Sequence, residues 1–177
     1  MGLDSVELIL LWEESFGISI SEVEAQAMIT PRQVAERIYD KVKSDLPEDN
    51  GCLSMRAFFR LRKAFGEMGV PRLSIRPESK ISSLLPGRRR RDLLSDISQR
   101  AGLEPLGKMP FGLQFTFGRV RDMVTDAVIE QHKRLRLLGH GWSQRQVKEV
   151  VRAVIFTQLA LRKFSDEAEF VRDLKID

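Results

Sequence analysis

The chain has 177 residues, a formal net charge of +4 and one cysteine. With 42% hydrophobic and 31% charged residues, it reads as one ordinary globular domain or two very small ones. No apolar run reaches the roughly 18–20 residues that span a bilayer, and no signal peptide is expected before the first helix. The lone Cys52 excludes an intrachain disulfide and a cysteine-based zinc site, so a reducing, cytoplasmic setting is expected.

In chain order the expected elements are almost all helices. Asp4 followed by Glu7 gives a capping arrangement ahead of the apolar run Val6–Trp12. Phe16-Gly17 stops that helix, because glycine readily takes the left-handed conformation. Residues 18–29 form a loop with a short helical turn, and Thr30-Pro31 opens the next helix, whose face is Val34, Ile38 and Val42. The stretch SDLPEDNG, residues 44–51, reads as a polar linker.

Beyond it, residues 54–68 form a basic amphipathic helix with Phe58, Leu61 and Phe65 on one side. A loop rich in proline and arginine follows, then helices near 89–101 and 116–137. His140-Gly141-Trp142-Ser143 is a turn whose serine caps a helix to about Leu159, and the tail holds one short turn. Nothing alternates as strands do. The expected class is all-α.

Charge is unevenly distributed. Residues 1–50 carry 4 basic and 11 acidic side chains, whereas the remaining residues are strongly basic. Such a split fits two parts that meet different partners, or each other. The opening Met-Gly is not a myristoylation signal, because Val6 stands where serine or threonine is needed.

Two separated segments share one resemblance. LDSVEL, EESFGISI and TPRQVAERIYDKV, together residues 3–42, resemble the second half of an acyl carrier protein. VKEVVRAVIFTQLALRKFSDEAEFVRDLKID, at the far end, resembles the first half, up to the loop that precedes the prosthetic-group serine. Placing the end before the beginning runs FVRDLKID into GLDSVELILLWEESFGI. The resemblance therefore implies a circularly permuted carrier bundle built from residues 1–44 plus 143–177. A cut at an exposed loop is compatible with a helical bundle.

The middle, residues 53–138, is a basic helical unit. GVPRLSIRPESKISSLLPGRRRRDLLSDISQRAGLEPL with FTFGRVRDMV resembles a degenerate carrier copy in which Arg88-Arg89 replace the family's Asp-Ser. Such a copy could accept no phosphopantetheine.

In the family the attachment serine would receive 4'-phosphopantetheine from a phosphopantetheinyl transferase. Ser5 is the hydroxyl nearest that position, but counting back eleven residues from Glu13 reaches Gly2, which has none. Ser5 is three residues later, about 4.5 Å along a helix axis and about 300° around it. The resemblance thus leaves two readings open: Ser5 loaded with the prosthetic group, or Ser5 as an ordinary first-turn residue in a carrier that holds nothing. It also implies that Glu7, Glu13 and Glu14 form an acidic face read by enzymes of acyl metabolism.

The run Arg88, Arg89, Arg90 and Arg91 would neutralise phosphates, but no nucleic-acid motif accompanies it and the acidic first fifty residues oppose it. A solvated loop, or a dock for an acidic helix of this chain or another, suits the run better. His132 and His140 lack neighbours at metal-ligand spacing, Cys52 lacks a paired histidine, and no phosphate-binding glycine loop is found. Trp12, Phe16, Phe156, Leu159 and Phe170 are the expected bundle core. The expected function is non-enzymatic: a carrier-like protein acting through protein contacts in fatty-acid or polyketide-type metabolism, as monomer or domain-swapped dimer, with no membrane partner.

Overall fold

The computed structural model describes residues 3–85, 87, 90–107, 117–161 and 163–176. In chain order the helices are α1 (Leu3–Phe16), α2 (Glu22–Ala27), α3 (Pro31–Val42), α4 (Leu53–Glu67), α5 (Ile81–Leu84), α6 (Arg90–Arg100), α7 (Val120–Leu135) and α8 (Gln144–Leu159). A 3-10 turn at Arg72–Ser74 was not anticipated. No strand occurs among the described residues, so the class is all-α. The chain forms two compact units: Met1–Cys52 with Arg136–Asp177, and Leu53–Leu135.

In the first unit, α8 packs on both α1 and α3. Its buried residues Val147, Val150, Val151, Val154 and Ile155 recur at the three-and-four spacing of one helical face. Leu8, Trp12 and Phe16 make the corresponding stripe on α1, and Val34 and Ile38 that on α3. Local chemistry fixes the helix ends. Thr30 Oγ1 accepts from Gln33 N while the Gln33 side chain accepts from Thr30 N, a capping box ahead of Pro31. Ser143 Oγ accepts from Gln146 N at the start of α8. Gly17, at φ +66°, ends α1 by donating to the Glu13 carbonyl at 2.8 Å.

Asp4 does not cap α1 from outside. The helix already runs at Leu3, so Asp4 lies within the first turn, where its charge faces the positive end of the helix dipole. Phe156 and Leu159 are half-buried, because the inward face of α8 runs through Val154 and Ile155 instead.

Residues 44–48 and Asn50 are exposed, as a polar linker would be, but one residue between them is anchored. Asp49 is only 2% exposed. Its carboxylate accepts from Leu137 N and Gly51 N at 2.9 and 3.0 Å. Its backbone N–H donates to the Gly141 carbonyl, and its own carbonyl accepts from Ser143 Oγ at 2.9 Å. Gly141 permits this close approach: a Cβ there would stand 2.8 Å from Ser44 Oγ. The Arg136 guanidinium lies 4.1 Å from the centre of the Trp142 ring, which in turn packs on Phe16 at 5.1 Å. Burial pushes the Arg136 pKa down, partly offset by the neighbouring Asp49 charge.

In the second unit, α4 packs on α6 and α7 through Leu53, Ala57, Leu61, Ala64 and Phe65. Phe58, expected on this face, is half-buried at its edge. The arginines of α4 are partly engaged within the unit: Arg56 donates to the Leu135 carbonyl and Arg60 to the Arg134 carbonyl, both at 3.1 Å. Both bonds satisfy carbonyls at the C-terminal end of α7. The buried Gln131 pairs with both backbone groups of Glu104, accepting at 2.6 Å and donating at 3.0 Å. Its own φ/ψ of −135°/23° kinks α7 at that point.

Candidate functional site: an apolar cavity beside Ser5

The first unit contains a cavity of about 290 Å³. On α1, Ser5, Leu8, Ile9 and Trp12 line it, a spacing of three and four residues that keeps all four on one side of the helix. Ala25 and Gln26 of α2 and the following Met28 and Ile29 form a second wall. The tail supplies the third, through Glu169, Phe170, Val171 and Ile176. The floor is buried, whereas Ile29 and Val171 are 50% and 70% exposed at the rim.

The tail is held as a wall by backbone bonds and ion pairs. Phe170 N donates to the Ile29 carbonyl at 3.0 Å, and Ile176 N to the Phe170 carbonyl at 2.9 Å. The Asp166 carbonyl accepts from Arg32 N at 3.0 Å, which satisfies an open N–H in the first turn of α3. The Asp166 carboxylate pairs with Lys148 and Arg152 of α8. Burial alone would raise its pKa, but these two hydrogen-bonded cations hold it below the usual range. Lys175, at φ +60°, turns the chain so that Ile176 enters the core, where it is 1% exposed.

The α2 wall is fixed by Glu24. Its carboxylate accepts from Ser21 N at 2.9 Å and pairs with Lys41 Nζ at 2.8 Å. The Lys41 hydrogen bond, with those from Ser21, lowers the Glu24 pKa from 4.5 to about 2. A depressed carboxylate pKa contributes stability that is present above the unfolded value and is lost as pH falls through the folded one. Glu24→Gln is therefore expected to lower the urea midpoint at pH 5, with variant and wild type converging as pH approaches 2. Circular dichroism at several pH values would check this; a constant gap across that window would contradict it.

Among the described residues that line the cavity, one has an unsatisfied buried polar group. Trp12 is 2% exposed, and its Nε1–H finds no hydrogen-bond partner among the described residues. Leaving such a donor buried and unpaired costs about 1–3 kcal/mol. Its ring packs on Phe170 with centroids 6.0 Å apart.

The other sequence-selected residues are scattered. Ser5 is half-buried in the first turn of α1, against the cavity. Glu13 Oε1 accepts from Ile20 N at 2.6 Å, so this carboxylate closes the loop after α1. Glu7 accepts from the Gln158 side chain of α8, while Glu14 is exposed. Gly2, Arg88 and Arg89 lie outside the described residues, and Arg90 and Arg91 begin α6. Cys52 Sγ donates to Glu149 Oε1 at 2.8 Å. His132 and His140 belong to different units. Among the described residues no group of His, Cys, Asp or Glu could hold a metal ion, and no helix is long and apolar enough to cross a membrane.

No family model, curated protein or solved structure matches the chain. Its function has to be argued from its own residues. The tail residues Glu169, Val171 and Ile176 and the loop residues Met28 and Ile29 were missed as cavity walls in the sequence. The only signal for them was the apolar residues bracketing charged ones in EFVRDLKI.

Proposed function

We propose that the chain is a carrier-shaped, non-enzymatic protein that acts through protein contacts in acyl metabolism and bears no prosthetic group. The observation that carries this reading is the meeting of the two ends of the sequence: Ser5 and Ile176 line one cavity, and α8 packs on α1 and α3. A permuted carrier bundle, opened between FVRDLKID and LDSVEL, needs that arrangement. Glu14, exposed on α1, is the residue through which a basic partner surface would read the helix.

A second reading, with 4'-phosphopantetheine on Ser5, is favoured by one observation. Ser5 lies in the first turn of α1, where the helix dipole favours a phosphodiester. Against it, Ser5 is half-buried beside the cavity, whereas a transferase needs the hydroxyl in the open.

Incubation with coenzyme A and a broad-specificity phosphopantetheinyl transferase, followed by intact mass, separates the two. An unchanged mass is the expected result. A phosphopantetheine-sized increase that Ser5→Ala abolishes would replace the first reading by the second.

A further inference from the structure

We propose that the outward face of α1 docks, in parallel, on the outward face of α4 of a second copy of the chain. Three observations select this occupant.

The first is apolar surface that neither bundle uses. Val6 and Leu10 of α1 are 42% and 56% exposed, and Met55 and Phe59 of α4 are 54% and 49% exposed. Each pair is spaced by one helical turn, so it forms a short stripe opposite the face that its own unit buries.

The second is register. Aligning Phe16 with Phe65 sets VELILLWEESFG on MRAFFRLRKAFG without a gap. The buried positions then coincide: Leu8 with Ala57, Trp12 with Leu61, and Phe16 with Phe65. The exposed stripes coincide as well, Val6 with Met55 and Leu10 with Phe59. Helices of equal rise that turn the same positions outward can lie side by side with those positions matched.

The third is charge, which is inverted between the two. At the three acidic positions of that α1 stretch, Glu7, Glu13 and Glu14, α4 carries Arg56, Arg62 and Lys63. Glu14 and Lys63 are exposed, one turn beyond each apolar stripe. A parallel pair therefore sets apolar on apolar and Glu14 beside Lys63. Pairing α1 with α1, or α4 with α4, would bring like charges together, so unlike helices are selected. Arg62 donates twice to the Arg72 carbonyl, at 3.3 and 2.9 Å, and so meets an anion already ordered. The wider charge agrees. Residues 1–50 carry 4 basic and 11 acidic side chains, whereas Leu53–Leu135 carries 17 basic and 8 acidic ones.

The contact extends the reading of Glu14 by naming the surface it meets. It needs no prosthetic group and no partner enzyme. Two short stripes make a small interface, so the association is weak and sensitive to salt.

Sedimentation of the full chain reads the pairing. At about 50 mM salt the weight-average mass is expected to rise with concentration over about 10–200 µM. At about 500 mM salt the association constant should fall at least about tenfold, because the charge pairs are screened. Leu10→Lys and Phe59→Glu each put the wrong charge on one stripe, and each should be monomeric with the wild-type helical spectrum. Mixed in equal amounts, they supply one intact α1 and one intact α4, and a one-to-one pair is expected. Glu14→Lys and Lys63→Glu repeat the mixing at exposed charged positions, should either of the first variants unfold.

A wild-type chain that stays monomeric across that range would overturn the proposal. So would association that either variant retains alone, or a mixture that stays monomeric. Ser5 is unmodified throughout, so this result and that of the mass measurement are independent.

Discussion

Asp49→Ala is expected to destabilise the first unit by on the order of 2–4 kcal/mol. The substitution leaves Leu137 N and Gly51 N without the carboxylate that accepts from both, and each lost acceptor for a desolvated N–H costs about 1–3 kcal/mol. It also removes the negative charge that offsets the burial of Arg136. Asp49→Asn keeps one accepting oxygen and should lose about half as much. Urea titrations followed by circular dichroism would read both, and an Ala variant within 0.5 kcal/mol of wild type, the usual range for surface changes, would show that Asp49 anchors nothing.

Ile176→Ala is expected to cost about 2–5 kcal/mol, the range for removing a buried aliphatic side chain without full collapse around it. Its neighbour should behave oppositely. Lys175 occupies the left-handed region at φ +60°, so Lys175→Gly relieves backbone strain of about 1 kcal/mol and should raise the midpoint. Opposite signs at adjacent positions would show that the tail is an ordered wall. If neither substitution moved the transition, the tail would contribute nothing to the bundle.

What could be read in the sequence was mostly what local chemistry decides. Thr30-Pro31 and Ser143 announce their helices because a cap needs only residues three positions away. The extent of α8 followed from its cap, but its expected core residues Phe156 and Leu159 are half-buried, and the inward stripe is Val147, Val150, Val151, Val154 and Ile155. Asp49 was misread for the opposite reason. A carboxylate among Pro, Glu, Asn and Gly has the composition of a loop, and its partners Leu137 and Ser143 lie 88 and 94 residues away. The cavity was equally hidden. Ser5 and Trp12 could be placed on one helix face, but the third wall depends on a left-handed lysine that no periodicity announces. Nor could the spacing of LDSVEL show that Ser5 sits against a cavity.

Trp12, Trp142 and Tyr39, which are the chain's two tryptophans and its one tyrosine, all fall in the first unit. Near-ultraviolet absorbance and intrinsic fluorescence therefore originate there, while Leu53–Leu135 contributes only phenylalanine. An unfolding curve recorded by emission follows one half of the molecule, and its backbone counterpart in the far ultraviolet follows both. Any gap between those two curves would measure how separately the two units melt, with no probe attached to either.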